Sequence, residues 1–248
     1  MRYVEYGKEH TEVIILLHGG GLSWWNYREA AENLAADYRV ILPILDGHAQ
    51  SDSDFTGIEE NAARIIGWIE RELEGSVLLI GGLSLGGQIA LEILSRKQDI
   101  CRFALIESAM VIPSPWTHAM IGPAFGSCYG LIRHRWFSKL QCRSLRIPQA
   151  LFEDYFRDTC GISKENMIAF LQANTLYRIR DSLADCGAKS CVLVGERENK
   201  AMRKSAQAIS GVLANSTLRV LPRLHHGEFS LRYADDYAAT VREMLAEP

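Results

Sequence analysis

The sequence predicts an α/β fold, in which a mostly parallel sheet is flanked by helices. Short apolar runs rich in Val, Ile and Leu, each followed by Gly, Pro or a polar turn, are typical of strands buried on both faces of such a sheet. These runs alternate with segments of helical periodicity, as βαβ units require. With 248 residues, 48% of them hydrophobic, the chain favours one large domain with an insertion over two independent domains.

Six apolar runs are predicted as strands, and a shorter run near the N-terminus is predicted as an edge strand. In chain order the seven are Arg2–Tyr6, Val13–Leu17, Arg39–Pro43, Ser76–Gly81, Phe103–Glu107, Ser190–Val194 and Thr217–Leu221. Five intervening segments repeat apolar residues at helical spacing and are predicted as helices: Asn26–Ala36, Ile58–Glu72, Leu85–Arg96, Ala201–Leu213 and Ala234–Leu245.

The alternation of strands and helices is interrupted between residues 112 and 185. No convincing buried strand occurs there, whereas Ala150–Phe156 and Lys164–Leu176 have helical periodicity. The sequence therefore predicts a helical insertion at 112–185, which divides the core into residues 1–111 and 186–248.

Composition and charge argue against several classes of function. The 27 basic and 30 acidic residues leave a formal charge of −3 without a long run of one sign. Nucleic acid is therefore not an expected partner, and a small molecule is the expected one. No apolar run reaches about 18 residues and no leader opens the chain, so neither a membrane nor secretion is expected and a cytoplasmic location is predicted. The six cysteines lack close ligand spacing, and no metal is predicted. The oligomeric state is not predicted.

The most specific motif is a G-x-S-x-G sequence at Gly82–Gly87. It follows the apolar run Val77–Ile80 and opens the helix predicted from Leu85. Glycines two residues before and after Ser84 relieve crowding in a tight strand-to-helix turn, which would present the serine hydroxyl above the sheet edge. The helix N-terminus and the Leu85 N–H would then meet developing negative charge. Ser84 is predicted to be a nucleophile.

A second glycine-rich turn, His18–Gly21, follows the strand Val13–Leu17. Glycines there allow close approach of the backbone to a ligand, so Gly20 or Gly21 is a candidate second donor of an oxyanion hole. Neither glycine-rich turn has the lysine of a phosphate-binding loop or the G-x-G-x-x-G spacing, so no nucleotide site is predicted. His18 itself is predicted to form structural hydrogen bonds.

A pair of histidines, His225 and His226, lies between the last predicted strand and the last helix. A serine hydroxyl needs a base with a pKa near neutrality, and histidine supplies one. His226 is the preferred base because Gly227 lets the loop turn its imidazole inward, and His225 stays an alternative.

The chain resembles the α/β-hydrolase fold family in three features: Ser84, the glycines after His18 and the His226 loop. Within that family it resembles especially the cap-bearing bacterial esterase and C–C hydrolase branch. The resemblance covers essentially the whole chain. It implies an eight-stranded, mostly parallel sheet, a helical cap inserted after the sixth strand, and a triad in the chain order serine, acid, histidine. Residues 112–185 fall where the cap is expected.

The resemblance also implies a triad acid. The turn Gly195–Glu198 is similar to the family's G-x-x-D turn, which makes Glu198 the preferred acid for orienting His226. Glu107, at the end of the preceding predicted strand, occupies a position where some members carry their acid. Glu107 therefore remains an alternative.

The resemblance implies a serine hydrolase that cleaves a small ester through an acyl-enzyme, without a metal or organic cofactor. A C–C bond hydrolase or an acyltransferase would use the same residues. A ligand-binding receptor with vestigial turnover is an alternative of another class, because one fold hosts many functions.

Four aromatic residues are predicted to line the substrate pocket, which would suit an apolar or aromatic acyl group. Trp24 and Trp25 follow the oxyanion turn, and Trp116 and Tyr129 belong to the expected cap.

Overall fold

A seven-stranded sheet forms the centre of the computed structural model, which describes residues 1–246. The strands are β1 (Tyr3–Tyr6), β2 (Val13–Leu17), β3 (Arg39–Pro43), β4 (Val77–Leu83), β5 (Cys101–Glu107), β6 (Lys189–Gly195) and β7 (Ser216–Leu221). Every predicted strand is present, with both ends within two residues of their predicted positions. The predicted α/β class is therefore confirmed.

The strands are ordered β1-β3-β2-β4-β5-β6-β7 across the sheet. β1 runs antiparallel to β3, and all other neighbouring pairs are parallel. The family resemblance implies eight strands, whereas the sheet in residues 1–246 has seven, with the antiparallel β1 at one edge. The helices of residues 112–185 follow β5 of this chain, which is the strand that the family's numbering makes the sixth.

Ten α-helices occur in residues 1–246, and six of them accompany the strands. These six are α1 (Arg28–Leu34), α2 (Ile58–Glu72), α3 (Leu85–Arg96), α8 (Lys200–Val212), α9 (Glu228–Arg232) and α10 (Ala234–Ala246). The other four lie between residues 112 and 185: α4 (Pro115–Cys128), α5 (Arg135–Ser144), α6 (Phe152–Gly161) and α7 (Lys164–Leu176).

The predicted bounds of α7 are correct at both ends, whereas α4 and α5 were not predicted. α4 contains Gly122, Pro123 and Gly126, residues that disfavour a helix interior, so its pattern resembles a loop. The helix forms where its residues pack against α7, and the Ser114 N–H donates to the Thr175 carbonyl oxygen at 2.8 Å. Tertiary contacts therefore override the local preference.

Segment 112–185 packs directly on the core. Phe170 and Met167 of α7 belong to the same buried cluster as Ile15 and Leu17 of β2. A salt bridge holds α6 of this segment to the core, because Arg28 of α1 pairs with Asp154 of α6 at 2.7 Å. No helix in residues 1–246 is both long enough and apolar enough to cross a membrane.

Candidate active site

The candidate residues meet at the carboxyl ends of the central strands. β2 lies between β3 and β4, and the chain goes from β2 to β3 on one side before it crosses to β4 on the other. Such a reversal of strand order opens a crevice beyond the carboxyl ends of the two strands. The glycine turn after β2 and Ser84 after β4 flank this crevice.

Ser84 occupies a sharp corner between β4 and α3. Its backbone has φ 53° and ψ −111°, in the positive-φ range that residues with a side chain rarely adopt. The corner is crowded, since a Cβ on Gly82 would collide with the Gly86 carbonyl and one on Gly86 with the Leu17 carbonyl. The Ser84 N–H donates to the Glu107 carbonyl oxygen at 2.9 Å and holds the corner against β5. Backbone strain of this kind is concentrated at functional sites.

Two backbone N–H groups near Ser84 are available to an anion. The N–H of Leu85, the first residue of α3, and that of Gly20 have no hydrogen-bond acceptor among residues 1–246. Gly21, the other predicted donor, is already engaged, because its N–H donates to His48 Nε2 at 3.0 Å. The structure therefore favours Gly20 over Gly21 as the partner of Leu85.

His48 is a site residue that the sequence reasoning missed. It is buried, and its ring stacks on Phe170 of α7 with the centroids 4.6 Å apart. Burial lowers the pKa of His48 to about 4, so the ring is neutral at physiological pH. Nδ1–H then donates to the Asp46 carbonyl at 3.0 Å and leaves Nε2 to accept from Gly21. His48 thus fixes the turn that carries Gly20.

His18 has the structural role predicted for it. It is fully buried, and burial, with the neighbouring His48, lowers its pKa well below the ordinary value. The neutral ring accepts from the Leu45 N–H at 3.1 Å through Nε2, and its Nδ1 lies 2.9 Å from the Gly19 carbonyl oxygen. His18 therefore ties the turn after β2 to the segment after β3.

His226 pairs with Glu198, a carboxylate in the turn after β6. His226 Nδ1 lies 2.9 Å from Glu198 Oε2. The other carboxylate oxygen, Oε1, accepts from Ser108 Oγ at 2.7 Å and from the Gly195 N–H at 2.8 Å. The Glu198 side chain is 1% exposed, whereas that of His226 is 42% exposed and faces the crevice.

Glu198 stays ionised in spite of its burial. Burial by itself raises the pKa of this carboxyl, but the His226 hydrogen bond and charge, with the Ser108 and Gly195 donors, lower it below its ordinary value. An ionised carboxylate at Nδ1 keeps a proton on that nitrogen and leaves Nε2 as the free base. Ser108, which the sequence reasoning also missed, helps to hold this charge.

Glu107, the alternative acid, lies behind the corner and makes no hydrogen bond to His226. It is 2% exposed; Oε1 accepts from the Ser230 N–H at 3.3 Å, and Oε2 has no partner in the described chain. Burial raises the pKa of Glu107 to about 7. A carboxyl that retains its proton towards neutral pH and makes no hydrogen bond to Nδ1 is unsuited to orient the imidazole.

The raised pKa of Glu107 predicts a pH-dependent stability. Its pKa is about 7 when folded against an ordinary 4.5, so native protein retains a proton that unfolded chains release. The contribution of Glu107 to the free energy of unfolding is therefore fully present below about pH 4.5 and falls by about 3 kcal/mol as the pH rises through 7.

Glu107→Gln removes this dependence, because the amide does not titrate. Urea unfolding of wild type and Glu107→Gln between pH 4.5 and 8 should show the variant gaining stability relative to wild type as the pH rises. A stability difference that is constant over this range would contradict the assignment.

Ser84, Glu198, His225 and His226 line one cleft of about 310 Å³. Its walls come from the turns after β2, β4, β6 and β7 and from the residues that follow α5. The side chains of Ser84 and His226 are not hydrogen-bonded to each other within the described residues, and such bonds are often long or absent without substrate.

The four predicted pocket aromatics do not line this cleft, which corrects the expectation of an aromatic wall. Trp25 is buried in the core, where its Nε1–H donates to Asp158 at 2.9 Å. Trp24 lies under the guanidinium of Arg28, and Tyr129 donates to the Ile162 carbonyl at 2.5 Å. Trp116 is 77% exposed on the surface of α4.

Comparisons with known proteins agree with the fold. A model of the alpha/beta hydrolase family matches residues 14–242. A thermostable monoacylglycerol lipase of Bacillus sp. (strain H-257) is 31% identical over 115 residues, which are 44% of this chain and 45% of the lipase. The matched stretch thus spans less than half of that relative.

Solved structures match over almost the whole chain. The esterase EaEST from Exiguobacterium antarcticum has a TM-score of 0.83 at 19% identity, with 99% of this chain and 95% of that chain covered. The enol-lactonase from Burkholderia xenovorans LB400 has a TM-score of 0.83 at 16% identity, with 99% and 96% covered. At these identities the matches show a common fold.

Proposed function

Because the chain belongs to the alpha/beta hydrolase family, we propose that it is a serine hydrolase that cleaves a small ester through an acyl-enzyme. The observation that carries the proposal is the shared cleft, where a serine on a strained corner faces a histidine whose Nδ1 is held by a buried carboxylate at 2.9 Å. This combination supplies both a nucleophile and an oriented base.

In the proposed mechanism, Ser84 Oγ attacks the ester carbonyl carbon while His226 Nε2 takes the hydroxyl proton. The carbonyl oxygen becomes negative and is stabilised by the N–H groups of Gly20 and Leu85. As the tetrahedral intermediate collapses, His226 returns the proton to the departing alcohol. Glu198 stabilises the imidazolium throughout and stays ionised.

Water completes the cycle. It attacks the acyl-enzyme carbonyl, gives a proton to His226, and the second tetrahedral intermediate expels Ser84, which recovers its proton from the imidazolium. The carboxylic acid product then leaves the cleft. The segment after α5, which lies in the proposed cap at 112–185, supplies Leu145 and Ile147 to the cleft wall and limits the size of the acyl group.

Repeated turnover of short nitrophenyl esters tests the proposal. Wild-type protein should release many equivalents of nitrophenol per chain from the acetate and butyrate esters. A release that stops at one equivalent would instead indicate a binding protein with vestigial chemistry and would contradict the proposal. β-Diketones and added alcohols in the same assay separate C–C hydrolysis and acyl transfer from ester hydrolysis.

His48 is proposed as the positioning residue of the oxyanion turn. His48→Phe keeps a ring against Phe170 but removes the Nε2 acceptor of the Gly21 N–H, so Gly20 loses its fixed orientation. We expect kcat to fall by roughly 10- to 100-fold while KM changes little, since the oxyanion forms only in the transition state.

His48→Gln is the matched control, because its amide oxygen can accept from Gly21. Partial recovery of kcat in this variant is expected. If both variants lower thermal stability equally and leave kcat unchanged, His48 serves packing alone.

A further inference from the structure

The cleft beside Ser84 is lined by two cationic side chains without a partner among residues 1–246. Arg146 and Arg197 both line it, and neither side chain makes a hydrogen bond or ion pair with any residue in the described part of the chain. Glu198 is the one acidic residue among the lining residues, and its oxygens are engaged by His226, Ser108 and Gly195.

The backbone holds Arg146 in place while its side chain stays free. Its φ is 59°, in the left-handed region that glycine adopts more readily. Among the residues other than glycine with positive φ, Ser84 and Arg146 are the two that line the cleft. The Arg146 carbonyl accepts from Arg232 Nε at 2.6 Å, and the Arg146 N–H donates to the Arg143 carbonyl at 3.3 Å.

The segment of 112–185 that lines the cleft, Ser144, Leu145, Arg146 and Ile147, carries one positive and no negative side chain. Residues 108–152 contain no Asp or Glu but include five Arg and Lys residues, although the whole chain has a formal charge of −3. Arg135, the member of this group that does pair, uses Glu153 beyond the segment. In the lining itself, Arg146 and Arg197 outnumber the single carboxylate, Glu198, so the balance of charge favours an anion.

We propose that the cleft binds an ester that also carries a carboxylate, and that Arg146 and Arg197 recognise this second group. The inference rests on the proposed ester hydrolysis and adds its substrate class. A guanidinium matches a carboxylate with two parallel hydrogen bonds, and no acidic side chain in the described part of the chain pairs with either arginine. The remaining wall is largely apolar, with Leu22, Leu83, Leu145, Ile147 and Leu231 available to the hydrocarbon part.

Two pairs of esters test this recognition on each side of the scissile bond. Monomethyl adipate and methyl hexanoate differ by a carboxylate on the acyl chain; 4-(butyryloxy)benzoate and phenyl butyrate differ by a carboxylate on the leaving group. In at least one pair the charged ester should have the higher kcat/KM for the wild type. The preference should weaken as salt is added, because the arginines are near solvent.

Arg146→Gln and Arg197→Gln should each reduce the ratio of charged to neutral kcat/KM on the order of tenfold, mainly through KM. Arg197→Lys should retain part of the preference, which separates charge from packing. Arg102→Gln is the matched control, because Arg102 is exposed at the opposite end of the sheet, where β5 begins.

Equal kcat/KM within both pairs, or a preference that survives in both Gln variants, would overturn the inference while ester hydrolysis stands. Absence of turnover for all four esters and for nitrophenyl esters would instead overturn the proposed function.

Discussion

Replacing Ser84 with alanine should lower kcat for short nitrophenyl esters by roughly 10⁵- to 10⁶-fold. The reason is chemical, since no other hydroxyl stands on the strained corner above α3, and without Oγ the ester can be attacked only by water. Steady-state rates of Ser84→Ala against wild type measure the effect. Circular dichroism and the unfolding midpoint verify that the variant is folded.

Ser76→Ala is the control for this prediction. Ser76 is exposed immediately before β4, the strand whose other end leads to Ser84. Its loss should leave ester turnover within about threefold of wild type. Retention of a substantial rate in purified Ser84→Ala would assign the chemistry to another residue.

Glu198→Gln should lower kcat by roughly 10⁴-fold, whereas Glu107→Gln should change it by less than about threefold. The Glu198 carboxylate accepts from His226 Nδ1 and stabilises the imidazolium; a neutral amide removes that charge and can donate to Nδ1, which places the proton on the wrong nitrogen. Glu107 makes no such bond. The amide of Glu107→Gln is neutral, like the protonated form of the wild-type carboxyl.

The paired kinetics of these two variants give a clear contrast. The kcat of each variant is measured with the same nitrophenyl ester near pH 7.5. Glu198→Asp tests whether a shorter carboxylate restores part of the rate. A mild Glu198→Gln with a severe Glu107→Gln would transfer the role of acid to Glu107.

Much of this arrangement was predictable because it depends on local sequence. The strand β4, the glycines around Ser84 and the start of α3 at Leu85 are contiguous, so the corner is visible in the sequence itself. The choice between Glu198 and Glu107 was not predictable in this way. Glu107 ends β5 and Glu198 lies in the turn after the adjacent parallel strand β6, and the distinction depends on how the loop with His226 approaches that turn.

The remaining features depend on contacts between distant segments. Gly20 and Gly21 are equivalent in sequence until His48, 27 residues away from Gly21, takes the Gly21 N–H. The aromatic wall was a wrong expectation because Trp25 packs in the core instead, with its indole N–H on Asp158 133 residues along the chain. The sequence shows that aromatic residues occur in segments beside the site, but it does not show whether they line the pocket or pack in the core.

Covalent labelling tests the central claim most directly. After treatment with a fluorophosphonate, the intact protein should gain one adduct mass, and peptide mapping should locate it on Ser84. His226→Ala should slow the labelling by several orders of magnitude while the fold is kept. An adduct on any other residue, or an equal labelling rate without His226, would contradict an activated serine at this corner.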